Sequence, residues 1–347
     1  MKLYVLNQDF EVIRYLDSFT SLEWVNRYYD TGDFVLVVPA SAENVSDLRH
    51  RHYLVREDDE MIAMIERIEI TTDAEDGDYL RASGRSIESI LGRRIVWTQT
   101  NANTSVELFL RTLVYENCIN PTDEKRRFPN LILGEPHGFT ERIEKQVTGD
   151  NLLDVVRETC QTYGYGFRIY MNADGQLVFD LYKGEDRSYN QTTNPYVSFT
   201  SSFENIINST YIYDEELFKN VALIGGEGEG MSRVYTTIGE AEGYGRYEVF
   251  VDARDVSTND GAIDRNTYLN LLAERGQKEI ALLTSTESMV GEVETSLMYR
   301  YKEHYYLGDV VSVENGCGVT ANPRIIAMIE SENESGYKAV PEFGTLV

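Results

Sequence analysis

The chain has 347 residues, enough for two or three domains at ~100–200 residues each. Its 58 Asp and Glu against 32 Lys and Arg leave a formal charge of −26 at pH 7, which argues against sequence-specific nucleic-acid binding and against docking on an anionic membrane. An apolar share of 42% with 24 tyrosines describes a folded, strand-leaning chain, and no apolar run approaches the ~18 residues of a membrane helix.

The N-terminus turns polar after Leu6, too early for a signal peptide. Cys118, Cys160 and Cys317 are far apart and lack C-x-x-C spacing, so reduced thiols are expected. Both points fit synthesis in a reducing cytoplasm without export by the usual route.

Residues 1–95 read as a β unit. Short strands are expected at Leu3–Leu6, 11–15, 21–28 and 34–39, and Met61–Thr71 and Tyr79–Ser83 flank an Asp76-Gly77 hairpin turn. Runs at this spacing predict a barrel or sandwich. Residues 96–195 change to α+β. Val106, Phe109, Leu110, Leu113 and Val114 share a helical face over 104–117, with Asn103 or Thr104 as the expected cap. Leu152, Leu153, Val156 and Cys160 repeat the pattern, with Gly164 as the stop, and a hairpin follows over 167–182. From residue 196 β character returns, with strands expected at 206–213, 218–224, 246–251, 287–297, 309–314, 324–331 and 337–343 and a third helix over 264–282. The division is therefore 1–95; 96–195; 196–230 with 284–347 as a second β unit; and 231–283 as a small helical insertion.

The loop Gly225-Gly226-Glu227-Gly228-Glu229-Gly230 is too glycine-rich for regular structure. It is no phosphate loop: it lacks Gly-Lys-Ser/Thr, and two glutamates would repel phosphate. A mobile hairpin tip or an interface loop is the expectation, and its six residues are the candidate interface. His50 and His52, at i and i+2, would share a face if they lay on a strand, but they lack a nearby third ligand and are flanked by Arg residues, so no metal site is expected. There is no Gly-x-Ser-x-Gly elbow and no cysteine in a nucleophile signature; Cys118 and Cys160 read as packing residues, while Cys317 sits in a glycine turn. Asp252 and Asp255 flank Arg254, and an ion-pair network accounts for them better than a glycosidase acid pair. No catalytic residue and no cofactor is expected.

Several segments in order resemble one family: Phe19-Thr20-Ser21-Leu22-Glu23-Trp24-Val25-Asn26-Arg27-Tyr28 before Gly32-Asp33-Phe34; Gly84-Arg85-Ser86 with Leu91-Gly92-Arg93-Arg94; Phe218 to Gly226; Val251-Asp252-Ala253-Arg254-Asp255; and Tyr305-Tyr306-Leu307-Gly308-Asp309-Val310-Val311. Together they resemble the siphovirus-type phage tail hub proteins, which include the baseplate hub and the N-terminal hub part of tail-associated lysins. The resemblance implies a mainly β fold with α+β insertions: two tail-tube-like antiparallel β-barrel domains plus smaller inserted domains. It implies a homotrimeric ring at the virion tail tip that lets DNA pass. Expected partners are other copies of the chain, the distal tail or tail tube protein, the tape measure protein, and a spike or receptor-binding protein. The chain stops directly after its last strands, leaving no room for the C-terminal enzyme some relatives carry. A carboxylate-lined ring would pass DNA without holding it. The alternatives are a cell-wall-degrading tail hydrolase and a carbohydrate-binding tail module. Besides the glycine loop, the acidic hairpin at 73–78 is a candidate contact element.

Overall fold

A computed structural model describes residues 1–73, 77–257, 263–293 and 298–344. They form two compact units, one of the described residues within 1–210 and 289–344 and one of those within 211–288. The chain is mainly β, with several sheets whose strand orders are open.

The larger unit begins with a four-stranded sheet in the order β2 (Val12–Leu16), β1 (Leu3–Leu6), β5 (Tyr53–Arg56), β6 (Ile62–Met64). Asn7 makes the first turn, its side-chain oxygen accepting from the N–H groups of Asp9 and Glu11. A six-stranded sheet runs β23 (Gly336–Phe343), β22 (Ile325–Asn333), β3 (Ser21–Arg27), β4 (Asp33–Pro39), β8 (Tyr79–Arg85), β7 (Arg67–Thr71). In β4 the alternation is complete: Phe34, Leu36 and Val38 point inward. They meet Leu22, Trp24, Leu80 and Ala82 of their own sheet and Leu3, Val5, Leu16 and Leu54 of the other, so the two sheets share one core. At one seam Ala63 bridges to Ser86, and the Glu66 N–H donates to the Ser83 carbonyl. The short helix α1 (Ala42–Asp47) is capped by Ser41. Asp76 of the expected Asp76-Gly77 turn lies outside the described residues, as do 74 and 75 of the acidic hairpin at 73–78; β7 and β8 on either side pair antiparallel.

The sequence division assigns 284–347 to a second β unit. The register sets β22 antiparallel to β3, Ile329 opposite Val25, with β23 completing that sheet. Between the two sheets, the buried Arg56 guanidinium of β5 donates to Glu330 of β22 at 3.0 Å and to Asp58 at 2.7 Å. The N-terminal ammonium also pairs with Glu332.

The α+β part packs α2 (Val106–Val114) and α3 (Leu152–Tyr163) against the sheet β10 (Leu131–Leu133), β13 (Leu177–Tyr182), β12 (Gly166–Met171). Both helices bury the faces expected of them. Asn151 caps α3, and Gly164 ends it at φ 72°. The cap of α2 is Ser105 rather than Asn103 or Thr104. Those two lie in β9 (Thr100–Ser105), extended against β11 (Arg142–Val147), so the helix cannot begin before that ladder ends. Glu107, in the first turn of α2 and buried, accepts the N–H groups of His137, Gly138 and Phe139 at 2.6, 2.8 and 2.9 Å. A small sheet of β14 (Ser198–Thr200), β20 (Ser312–Glu314) and β21 (Thr320–Ala321) packs Phe199 against Tyr305 and Phe343.

The chain passes between the units along two paired strands, β15 (Ile206–Asp214) and β19 (Thr286–Val293). The strand expected over 287–297 runs into residues 294–297, outside the described set. The smaller unit is a three-stranded sheet, β17 (Tyr235–Ile238), β16 (Val221–Gly225), β18 (Glu248–Asp252), with α4 (Arg265–Leu282) on one face. Ala222, Ile224, Val251, Tyr268 and Leu272 form its core.

Candidate functional site

The glycine loop joins β16 to β17 in the smaller unit, and hydrogen bonds anchor its base. The Gly226 N–H donates to the Val234 carbonyl, and the Val234 N–H to Glu227, extending the hairpin by one step. The Tyr268 hydroxyl of α4 accepts the Glu227 N–H at 2.7 Å and donates to the Val256 carbonyl at 3.1 Å. Arg233 donates to the carbonyls of Gly225 and Gly226 and to Asp252 at 2.7 Å. The glycines permit this approach: a Cβ on Gly226 would lie 2.4 Å from the Tyr268 hydroxyl, and Gly228 sits at φ +98°. Gly225 and Gly226 are therefore buried at the base, while Gly228, Glu229, Gly230 and Met231 form an exposed tip.

Within the larger unit, a cleft of about 690 Å³ is lined by the acidic run Glu57 to Glu60 and by Arg168, Tyr182, Arg187, Lys302 and Asp309, among others. Its charges are largely matched. Arg187 meets Asp309 at 2.7 Å, Lys302 meets Asp59 at 2.7 Å, and Arg168 meets Asp180 at 3.0 Å. Glu88 accepts the Ile169 N–H at 2.7 Å, joining the strand-rich part to β12, and burial pushes its carboxyl above the usual range. Carboxylates committed to guanidinium and ammonium partners bind and orient. They are poorly placed to exchange protons with a substrate.

The remaining sequence candidates are dispersed. Cys118 and Cys160 are buried in the helical part; burial pushes the Cys118 thiol up to about 12 and raises that of Cys160 as well, the opposite of an activated nucleophile. Cys317 is exposed. His52 turns its Nδ1 to the Asp47 carbonyl at 2.7 Å, while His50 is exposed. Arg254 grips Asp252 through Nη2 at 2.6 Å, the ion pair expected of that segment. One arrangement was not legible in the sequence: Glu141 takes the Lys183 ammonium and the Tyr165 hydroxyl together, which hold its carboxyl at about 2. Lys183 also lies over the rings of Tyr165 and Phe139.

The sequence matches the family model of siphovirus ReqiPepy6 Gp37-like proteins over residues 2–345. The chain belongs to that family. No curated protein matches it. Three solved structures share its fold along nearly the whole length of this tail protein. The prophage MuSo2 43 kDa tail protein from Shewanella oneidensis is similar at a TM-score of 0.59 and 14% identity, covering 99% of this chain and 98% of that one. A tail protein from Neisseria meningitidis MC58 is similar at 0.57 and 13%, covering 99% and 95%. The prophage tail protein gp18 from Listeria monocytogenes EGD-e is similar at 0.53 and 14%, covering 100% and 94%. A chain of the half-lidded Francisella PdpA–VgrG complex has the same fold at 0.52 and 9% identity, covering 99% of this chain and 57% of that one.

Proposed function

We propose that the protein is a structural hub of the tail tip, three copies closing into a ring between the tail tube or distal tail protein and the spike or receptor-binding parts. The observation that carries this is the fold: from end to end it is similar to phage tail proteins, and it is also found in a chain of a complex with VgrG. In this reading the two facing sheets of the larger unit supply a tube-like barrel, and DNA passes along the ring axis. Two features support assembly. Strand β2 is an open edge with Val12, Ile13 and Tyr15 exposed, the kind of edge that copies cover in a ring. The exposed tip of the Gly225–Gly230 loop is a contact element, held rigid at its base so that little entropy is lost on docking. The surplus of 26 acidic charges keeps passing DNA from adhering.

The test is the mass of the purified chain by light scattering, with negative-stain images of the same peak. A threefold ring with a central channel is expected. A chain that stays monomeric and also fails to join the tail tube protein or distal tail protein on mixing would overturn the reading.

A further inference from the structure

Of the two tryptophans, Trp24 is fully buried, whereas Trp97 is 66% exposed. The Arg126 guanidinium lies 4.9 Å over the Trp97 ring and donates to the carbonyl of Ile95 at 2.8 Å. Arg94 sits 4.0 Å over Phe128 and donates to the Arg126 carbonyl at 2.7 Å. Arg93 adjoins them in sequence, and Lys125 and Arg127 stand exposed on either side of Arg126. Among the described residues, none of these five cations has a carboxylate within 4.0 Å. In a chain with 58 acids and 32 bases, that is an unusual concentration of unmatched positive charge. Burial lowers the pKa of Arg94, and the positive fields of Arg126 and Arg93 lower it further.

We propose that this Arg94–Trp97–Arg126 patch is the docking surface for an acidic face of a second copy of the chain. The charge argument selects the occupant. Two copies at −26 each repel one another, so close contact needs carboxylates set against cations. A cation already bridged within the chain would have to exchange partners; these five gain one. Rings and carbonyl oxygens fix Arg94 and Arg126 beforehand, so contact costs little side-chain entropy. An exposed tryptophan flanked by arginines also has the composition of an interface centre. The proposal rests on the reading of the protein as an assembly of copies and names the surface that assembly uses.

Trp97 is its own reporter. Acrylamide quenching of intrinsic fluorescence is followed on the intact chain against concentration, beside mass by light scattering, with Trp97→Phe isolating the buried Trp24 signal. The accessible component is expected to disappear as mass rises. The exposed pair Lys125→Glu/Arg127→Glu is expected to raise the dissociation constant at least tenfold, about 1.4 kcal/mol, with an unchanged circular dichroism spectrum. An assembly in which Trp97 remains fully quenchable overturns the inference and leaves the hub reading standing. A chain that is monomeric at every concentration overturns it as well, and mixing with the tail tube protein then judges the hub reading separately. Protection of Trp97 by added polyphosphate without self-association assigns the patch to a polyanion and overturns the second-copy proposal.

Discussion

Removing the carboxylate of Glu330 should be among the most damaging single changes available in the larger unit. Arg56 and Glu330 are both essentially fully buried, with Arg56 Nη1 2.9 Å from Glu330 Oε2 and Nη2 donating to Oε1 at 3.0 Å. Tyr337 adds its hydroxyl to the same oxygen at 2.7 Å, and the Arg56 guanidinium also lies 5.7 Å over the Trp24 ring. Glu330→Gln leaves that guanidinium buried with Asp58, largely solvent-exposed, as its remaining direct ion-pair partner. Breaking one partner of a buried pair costs about 3–5 kcal/mol, which is roughly 6–20 °C in Tm for a unit of this size. The assay is urea unfolding followed by Trp24 fluorescence in a Trp97→Phe background, which reads the six-stranded sheet that carries Glu330. The double variant Arg56→Met/Glu330→Leu removes both charges and should recover most of the loss, because the desolvation cost disappears with them. A Glu330→Gln cost below about 1 kcal/mol, or a double variant worse than the single, would refute the reasoning.

Three further outcomes follow from geometry. Glu141, held at about 2 against a usual 4.5 by Lys183 and Tyr165, contributes stability that is complete above pH 4.5 and is lost as pH falls towards 2. Glu141→Gln should lower stability by a constant amount above about pH 5 and flatten the acid limb of a stability-against-pH curve between 4.5 and 2, so that the two curves converge at the acid end. Glu107→Gln sets an amide among three backbone N–H donors and should cost about 1–3 kcal/mol, read as faster hydrogen exchange at residues 137–139. Gly226→Ala drives a methyl group into the Tyr268 hydroxyl and should destabilise the smaller unit by about 1–3 kcal/mol, seen as proteolysis confined to residues 211–288.

What the sequence made legible was local. The alternation of Phe34, Leu36 and Val38 declares β4 and its inward face, and the spacing of Leu152, Val156 and Cys160 with Gly164 declares α3 and its end. Where a distant partner decides, the pattern was silent. Ser105 caps α2 because residues 142–147 hold 100–105 extended. The glycine loop reads as slack until Tyr268, some forty residues on, is seen to accept its N–H. Strand β17 went unread because Tyr235–Ile238 is four residues long in polar surroundings, and only its register with β16 makes it a strand. The cations of the Trp97 patch are visible one by one, yet Arg94 and Arg126 meet only through a carbonyl 32 positions away.

The pairing of β3 with β22 also bears on how the protein is made. The two strands lie roughly 300 residues apart in the chain. At ~5–20 residues per second of synthesis, β3 waits about 15–60 s on the ribosome with one edge bare. Its sheet is complete only once β22 has emerged, so a product truncated earlier keeps a raw strand edge that chaperones and proteases can recognise. Such fragments would be culled before they could poison a growing tail, and full-length synthesis would become a condition for entering the particle.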